Sequence, residues 1–574
     1  MEQQRNLIIA VVLSIAILFG FQYFLPSAKP PIPAPSQRAG QASQGVAPSV
    51  PADLAAPAPA TRSAALSKSP RIRISTPRLE GSINLVGARL DDLTLSGYRE
   101  TTAPDSPLVQ LLSPDGTASP YLVDFGWQSV GHGEVKLPDE GTLWKTGDHT
   151  LTFDHPVTLT WDNGQGLLFT RKISVDANYM FTVTQSVTNQ GAQPVVLASF
   201  GRIDRGGKTP VQSNRLLHVG PIGVMDGTLH ELSYGDLVPG KQTSFSTTGG
   251  WFGLTDEYWL VSLIPDLHKP VNVGFTRVAR EKGDLFQVGF AGAGQAVAPG
   301  ETHTTTTRLF SGAKEVHLLD YYERSLQIPR FDRAIDFGWF YFLTKPIFLI
   351  LDFFNRHIGN FGLAILLFTL CVKIVFFPLA NRSYRSMSKM KLLQPEMAKL
   401  KERFGDDKAR LNQEMMALYK RSGANPAAGC LPIAIQIPVF FSLYKVLSVS
   451  IEMRQAPFFG WIHDLSVPDP TSLLNLFGLL PWAAPAGLPL IGFLAIGLWP
   501  LIMGITMFLQ QKMTPTSPDP TQAKMMLALP VVFTFMLAHF PAGLVIYWAW
   551  NNTLSIAQQW LILRQVRVKE PAKA

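Results

Sequence analysis

The feature that most constrains the fold of this chain is an apolar run with a lysine inside it. The segment FGLAILLFTLCVKIVFFP at 361–378 is long enough to enter a lipid bilayer, and it contains Lys373. On an insertion scale a lysine at the centre of a membrane helix is unfavourable by roughly 2.5 to 3.5 kcal/mol. An ionisable residue in such a run is therefore a functional hypothesis.

The position of Lys373 alone leaves two interpretations open. In the first, the side chain extends along the helix and carries its ammonium to the nearer membrane surface. Arg382 follows nine residues later, which is about 14 Å of helix, whereas the lysine stem covers about 6 Å. In the second, Lys373 faces a water-filled cavity inside the bilayer.

Length, charge and motifs exclude several classes of protein. The chain has 574 residues and a formal net charge of +8, and no basic stretch is interleaved with stacking aromatic residues, so we predict no nucleic-acid recognition. Cys371 and Cys430 are its two cysteines, which gives no disulfide framework and no cysteine zinc site. Nucleotide-binding, zinc-protease and serine-hydrolase motifs do not occur, so we predict no enzyme activity, no cofactor and no metal.

The N-terminal part has two compositional segments. Residues 1–25 contain the apolar run Leu7 to Leu25 without a convincing cleavage site, which favours an uncleaved transmembrane anchor over a signal peptide. Residues 26–70 are rich in Pro, Ala and Ser with scarcely an aromatic residue. Such a segment buries too little apolar surface to offset its ordering entropy, so it predicts a flexible linker.

Residues 71–330 carry the alternation typical of β-strands. The runs are RIRIS, GSINLVGARL, HTLTFDHPVTLTW, LLFTRKISVD, YMFTVTQSVTN, VNVGFTRVAR, DLFQVGF and TTTTRLF. They predict a large β-sandwich, closed by a short helix over 315–328. A sugar-processing site is an alternative for this domain, built on Asp256 with Glu257 or on His303 with Arg308, although neither pair is a recognisable catalytic arrangement.

The C-terminal half reads as a membrane region. Residues 331–358 are aromatic but carry too many charges for a span, so they predict an amphipathic helix in the membrane interface. Residues 359–565 hold five apolar segments, which with the anchor give six spans. Residues 380–426 carry eleven Lys and Arg against five acids, and 450–492 carry one against three. This asymmetry, with the basic tail 566–574, places both termini in the cytoplasm and the β-domain in the periplasm.

Polar residues of different spans fall at a similar depth in the cytoplasmic half. They are Lys373, Thr369, Gln436, Asn551 and Asn552, whereas the outer halves are apolar. This asymmetry predicts a hydrophilic groove that opens to the cytosol and lipid but is closed outward, unlike a channel lined across its whole thickness. The plainer alternative is that these side chains only join helices, at about 0.6 kcal/mol per contact.

The basic loop 380–426 has helical periodicity on both sides of a GDD turn, which predicts a cytoplasmic helical hairpin. Its apolar positions are rich in methionine: Met387, Met390, Met397, Met415 and Met416. Methionine surfaces adapt to varied apolar partners. These residues either receive such partners or simply close the hairpin.

Several stretches of the core resemble the YidC/Oxa/Alb family of membrane protein insertases, in its Gram-negative form. They include NRSYRSMSKMKLLQPEM, GDDKARLNQEMMALYK, NPAAGCLPIAIQIPVFFSLY, EMRQAPFFGWIHDLS, TMFLQQKMTPTSPDPTQAKMM and FPAGLVIYW. The resemblance covers the whole architecture and is most specific over 331–565. It implies a polytopic α-helical protein of the bacterial inner membrane, with a five-helix core and a periplasmic β-supersandwich.

The resemblance also implies a function and a set of residues. The function is transfer of transmembrane segments of nascent proteins from the cytosol into the membrane, with the Sec translocon, the ribosome and the lipid bilayer as partners. Lys373 stands where the family typically has arginine, which keeps the charge but loses the planar fork. The substrate-contacting positions correspond to Thr369, Ile437, Phe440, Met536 and Trp548. A small-anion transporter that uses Lys373 as its binding charge is the alternative function.

Overall fold

The computed structural model describes residues 60–569, apart from 131–134, 208–216, 281–282, 406, 424–430, 481–494 and 515–519. The chain divides into two units, residues 1–58 and 59–574. The predicted anchor 1–25, most of the predicted linker and the basic tail beyond 569 lie outside the described residues. The account below concerns the second unit.

The first half of this unit is a domain of two antiparallel sheets. Its strands are β1 Arg71–Ser75, β2 Leu79–Asn84, β3 Arg89–Arg99, β4 Leu108–Leu112, β5 Tyr121–Ser129, β6 Thr150–Leu151, β7 Val157–Asp162, β8 Leu167–Val175, β9 Met180–Asn189, β10 Val195–Gly206, β11 Gly220–Met225, β12 Thr228–Glu231, β13 Thr243–Thr248, β14 Trp251–Thr255, β15 Trp259–Ile264, β16 Pro270–Val278, β17 Leu285–Gly292, β18 Gln295–Val297 and β19 Thr302–Ala313. A single parallel pair joins β1 and β6 among these strands.

Within the described ranges, one sheet has eleven strands and the other has eight. The larger sheet runs β13-β16-β17-β10-β5-β3-β2-β1-β6, with β18 beside β10 and β4 beside β3. The smaller sheet runs β12-β11-β14-β15-β19-β9-β8-β7. The buried side chains of both sheets form one continuous hydrophobic core. The prediction of a large β-rich domain is therefore confirmed.

Period-two alternation explains why these segments form strands. Along β8 the side chains at Leu167, Phe169, Arg171, Ile173 and Val175 are buried, and the positions between them are more exposed. Alternation of this kind lets one face of a strand join the core while the other meets water or polar neighbours. The same pattern holds in β9, from Met180 to Asn189.

Residues 60–70 differ from the flexible linker that their composition suggested. Helix α1, Arg62–Leu66, is capped by the Thr61 hydroxyl and buries Ala65. Arg62 Nε donates to Asp92 Oδ1 at 2.9 Å, and Arg62 Nη2 donates to the Thr94 hydroxyl at 3.0 Å. A charge-assisted pair with β3 holds this end of the segment against the domain.

The region between the β-domain and the first apolar helix is divided differently from the single interfacial helix expected over 331–358. Helix α2 is Val316–Ser325, a 3-10 turn is Phe331–Ala334, and helix α3 is Tyr341–Ile358. Phe331 is fully buried and its ring meets that of Trp251 at 5.3 Å. The start of the predicted helix is thus part of the β-domain core, because burial of this ring outweighs continuation of the helix.

The remaining helices form the helical region of the chain, in which α5, α6 and α7 are charged and the others are mainly apolar. They are α4 Phe361–Val375, α5 Phe377–Leu392, α6 Gln394–Phe404, α7 Lys408–Arg421, α8 Leu431–Val449, α9 Leu498–Met513, α10 Pro520–Leu537 and α11 Ala542–Lys569. A second 3-10 turn covers Leu473–Gly478.

The predicted run 361–378 is not one straight helix. Helices α4 and α5 meet at an angle of 68°, at the position where Pro378 stands in the first turn of α5. Proline is favoured at the start of a helix and not in its interior, so it separates the two segments. Among the described helices, none is by itself long and apolar enough to span a bilayer, whereas α4 and α5 taken together satisfy that criterion.

Candidate functional site

The side chain of Lys373 lies between helices α4 and α11. Its Nζ donates a hydrogen bond to the Ser555 hydroxyl at 2.7 Å, and Ser555 Oγ in turn donates to the Asn551 carbonyl at 2.8 Å. Within the described ranges no carboxylate lies within ion-pair distance of Lys373. An ammonium has three donors, so two of its donor positions face other surroundings.

Helix α11 presents a row of buried polar side chains beside this lysine. They lie at positions i, i+1, i+4, i+7 and i+8, which is one face of a helix. We call this row the polar stripe: Asn551, Asn552, Ser555, Gln558 and Gln559, each less than a tenth exposed. In the part of the chain that the structure describes, Gln558 Nε2 and Gln559 Oε1 are buried without a hydrogen-bond partner.

The polar stripe connects α11 to two other helices. Asn552 Nδ2 donates to the Thr506 hydroxyl on α9 at 3.3 Å, while Ser555 accepts from Lys373 on α4. One turn nearer the N-terminus, the Trp550 indole donates to the Leu366 carbonyl at 3.2 Å. Sequence analysis found Asn551 and Asn552 but missed Ser555, Gln558 and Gln559, although their spacing from Asn551 was a readable signal.

Two other predicted groove residues behave differently. Thr369 is buried, and its hydroxyl donates to the Ile365 carbonyl of its own helix at 2.7 Å. Gln436 is half-buried on α8 and makes no side-chain hydrogen bond to the other four predicted groove residues in the described ranges. The structure therefore joins Lys373 to α11, and brings neither Thr369 nor Gln436 into that hydrogen-bond chain.

The predicted substrate-contacting residues fall into an aromatic cluster and one exposed side chain. Phe440 and Trp548 meet edge to face with ring centroids 4.7 Å apart, and Phe533 lies 5.9 Å from the same indole. Met536, like these three rings, packs against the buried side chains of Met503, Leu537, Val545 and Ala549. Ile437 is half exposed on α8.

The methionines of the basic loop are mostly in helix contacts. Met387 packs with Tyr384 and Ile562, so it belongs to the contact between α5 and α11. Met397 is buried, and the Tyr419 hydroxyl contacts its sulfur at 3.7 Å across α6 and α7. Met390 and Met415 are half-buried, and Met416 is exposed. Of the five methionines, Met397 closes the hairpin, Met387 packs α5 on α11 and Met416 is left exposed, so the two alternatives stay open for the set.

A seam of polar contacts fastens the β-domain to the helices. Lys445 at the end of α8 pairs with Asp336 at 2.7 Å, and the Arg454 guanidinium donates to the backbone carbonyls of Arg99 and Glu100. Glu452 accepts the backbone N–H of Val316 at 2.9 Å. Burial raises the pKa of Glu452 to about 7, and nearby acidic groups add to that rise. Sequence analysis did not single out Glu452.

The residues suggested for a sugar-processing site have structural partners. Asp256 pairs with Arg205 at 2.8 Å, and its backbone carbonyl accepts a hydrogen bond from the buried Lys314 ammonium at 2.7 Å. His303 lies edge to face on Trp127 with ring centroids 5.8 Å apart. Asp256 and His303 are thus used within the fold.

Comparison with known proteins identifies the class. A family profile described as "YidC periplasmic domain" matches residues 71–350, and one described as "60Kd inner membrane protein" matches residues 353–570. The chain is an inner-membrane protein with a β-rich periplasmic domain.

Relatives along the whole chain identify the family. The membrane protein insertase YidC of Granulibacter bethesdensis is 50% identical, over 100% of this chain and 99% of the relative. That of Methylorubrum extorquens is 48% identical, over 99% of this chain and 96% of the relative. The chain belongs to the YidC family of membrane protein insertases.

A solved structure was also found. The crystal structure of an active YidC insertase with its first transmembrane domain resolved is 18% identical and covers 85% of this chain and 91% of its own chain, with a TM-score of 0.36. The family assignment rests on the family profiles and the sequence relatives.

Proposed function

We propose that this chain transfers transmembrane segments of newly made proteins from the cytosol into the inner membrane, and that Lys373 facing the polar stripe is its working part. The family of the chain supports the activity. The observation that carries the assignment of the site is the contact of Lys373 with Ser555, inside a region of otherwise apolar helices.

The weak coordination of Lys373 supports an electrostatic role. A lysine used only to hold a fold is normally paired with a carboxylate when it is taken out of water. Lys373 is held by a hydroxyl, so its charge remains available to an acidic group of an incoming protein. Such a charge-assisted contact is stronger than a neutral hydrogen bond, and a low local dielectric strengthens it further.

The polar stripe extends this site along α11. Its asparagine, serine and glutamine side chains offer donors and acceptors to a polar segment of a client, which otherwise enters the bilayer without partners. The arrangement supports our proposal of a hydrophilic groove open to the cytosol and to lipid. The unsatisfied atoms of Gln558 and Gln559 are consistent with groups that meet water or a client.

The apolar part of a client leaves by a different surface. Ile437 is exposed, and Phe440, Met536 and Trp548 form an apolar face beside it. Each Leu, Ile, Phe or Val of a client segment gains about 0.3 to 0.6 kcal/mol by entering the membrane. Partition into lipid therefore drives the step, and no covalent bond changes.

The membrane arrangement is part of the proposal. Charge asymmetry between 380–426 and 450–492 supports six spans with both termini in the cytoplasm. The helical hairpin then lies on the cytosolic side, where clients arrive from the ribosome or from the Sec translocon.

Reconstitution tests the proposal. The full chain is placed in nucleotide-free liposomes, and insertion of a short single-span protein is measured by protease protection. We expect Lys373→Ala to lose insertion and Lys373→Arg to retain it, because the arginine keeps the charge. Full insertion by Lys373→Leu refutes the electrostatic role. Lys172→Leu, at an exposed position on β8, is the matched control and keeps full activity.

A further inference from the structure

Helices α2 and α3 line an open cavity of about 500 Å³ at the junction of the β-domain and the helical region. Five of its residues, at spacings of three and four, lie on one face of α2. We call it the α2–α3 cavity, and its lining is His317, Asp320, Tyr321, Arg324, Ser325 and Leu349. Its volume lies in the range of small-ligand sites.

The carboxylate in the lining and its neighbours have protein cations as partners. Asp320 pairs with Lys345 at 2.8 Å, and the same lysine pairs with Asp332 at 2.8 Å. Asp352, on α3, pairs with His317 at 2.8 Å and with Arg356 at 2.8 Å. A cationic ligand therefore finds no free carboxylate in the lining.

Among the chargeable side chains of the lining, Arg324 is the one without an ion pair to a described residue. Its exposed guanidinium makes no ion pair or side-chain hydrogen bond with any described residue. The hydroxyl groups of Tyr321 and Ser325 lie in the same lining. A guanidinium with neighbouring hydroxyl donors suits a phosphate group, because the planar fork can bind two of its oxygens.

The opposite wall of the cavity is apolar and continues into a row of exposed apolar side chains on α3. Leu349 lines the cavity and is 39% exposed. Phe342 and Phe353 lie on the same face of α3, at spacings of seven and four from Leu349, and are 74% and 56% exposed. Trp339, just before the helix, is 98% exposed. An exposed apolar row of this size marks a surface that meets membrane or another apolar partner.

We propose that the α2–α3 cavity binds the headgroup of one anionic membrane phospholipid, with the phosphate on Arg324 and an acyl chain along Leu349 and Phe353. Two features select this occupant: the uncompensated cation on one wall and the apolar row that begins at the other. The inference rests on the proposed function, since it requires α3 to lie at the periplasmic face of the membrane. The bound lipid then links α2 of the β-domain to the bilayer surface.

Lipid retention tests the proposal without any client protein. The full chain in detergent micelles is titrated with phosphatidylglycerol, and single bound lipids are counted by native mass spectrometry. We expect one tightly retained lipid, weakened about tenfold by Arg324→Gln through loss of a charge-assisted contact. Arg324→Lys retains part of the affinity, and Leu349→Glu loses it by repelling the phosphate.

Controls separate this site from general charge effects. Arg73→Gln removes an exposed positive charge on β1 and leaves retention unchanged. Equal weakening by Arg73→Gln, unchanged retention in Arg324→Gln, or displacement of the lipid by an equal concentration of inorganic phosphate overturns the proposal. Lys373→Leu separates the two proposals, because it stops insertion and leaves lipid retention as in the wild type.

Discussion

The β-domain and the helical region each contain a largely buried cation, Arg171 and Lys373, and the two differ in their number of hydrogen-bond partners. Arg171 on β8 is 1% exposed and donates to the Ala88 carbonyl at 2.8 Å, to the Phe125 carbonyl, and to Gln185 at 3.4 Å. Its guanidinium also lies 4.8 Å from the centroid of the Trp144 ring. Lys373 is held by one serine hydroxyl.

This difference distinguishes a structural cation from an available one. Arg171 stands in the smaller sheet, and its carbonyl partners lie in β5 and directly before β3 of the larger sheet, so it fastens the two sheets together. Burial of a charge is tolerated when most of its donors find acceptors, and Arg171 uses both terminal nitrogens although its Nε is buried without a partner among the described residues. Lys373 has one such acceptor, which is expected of a group whose partner arrives from outside.

The largest expected effect comes from removing the structural cation. We expect Arg171→Met to reduce the free energy of unfolding of the β-domain by about 3 to 5 kcal/mol, because the buried acceptors lose their donor. The check is urea unfolding of the full chain followed by its β-sheet circular dichroism. Arg73→Met, at an exposed position, serves as control; equal stability of Arg171→Met and the control contradicts the structural role.

The next effect concerns the seam between the two regions. The carboxyl of Glu452 has its pKa raised from 4.5 to about 7 by burial, so the folded protein holds a proton that the unfolded chain releases. The stabilisation is fully present below about pH 4.5 and is lost as the pH rises to about 7, a difference of about 3 kcal/mol.

Glu452→Gln tests this pH dependence. We expect it to raise the melting temperature at about pH 8 and to leave it nearly unchanged at about pH 4, because glutamine imitates the protonated acid. Thermal unfolding across this range is the measurement. Glu80→Gln, at an exposed position on β2, keeps the wild-type profile; a parallel shift at every pH speaks against titration of Glu452.

Substitution of Lys373 is expected to change the stability of the protein little and its insertion activity strongly. Lys373→Leu lowers insertion by at least about tenfold, the equivalent of one charge-assisted contact, and leaves the melting temperature of the protein unchanged or higher. Insertion and melting are measured on the same preparation. A large loss of stability in Lys373→Leu would make it a structural cation like Arg171 and remove the contrast.

The smallest expected effects on stability distinguish the buried Met397 from the exposed Met416. Met397→Ala creates a cavity between α6 and α7 and costs about 2 kcal/mol or more, whereas Met416→Ser, at a 61% exposed site, changes stability by less than about 0.5 kcal/mol. Hydrogen exchange of the helical hairpin measures both. A loss of insertion in Met416→Ser without loss of protection would give this side chain a role in client contact.

Much of the β-domain could be predicted because period-two alternation is a local property. Arg171 was missed, although it stands at the inward parity of β8 between Phe169 and Ile173. A buried arginine needs acceptors from distant segments, here Ala88 and Phe125, and a single strand does not reveal them. Helix α1 was missed for the same reason, since its stability comes from the contact of Arg62 with Asp92.

The candidate site divides in a similar way. Lys373, Asn551 and Asn552 could be selected from the sequence as candidate site residues, because charges and amides in apolar runs are exceptional. That Lys373 bonds to Ser555, and not to Thr369 or Gln436, could not be predicted from the sequence. This contact depends on the rotation of α4 and α11 about their axes. The bend between α4 and α5 also depends on packing, although Pro378 marks its place.

The sequence by itself determined the kinds of segment: alternating strands that need a second sheet, and apolar helices. It also determined that Lys373 has an unfavourable free energy of transfer into lipid, which indicates a function. These follow from residue chemistry and spacing, which act over a few residues. Only the tertiary structure decided which groups satisfy each other across the chain, so that Arg171 is enclosed by carbonyls while Lys373 meets a single hydroxyl. Hydrogen bonds act over about 3 Å, and that proximity is created by packing, not by order along the chain.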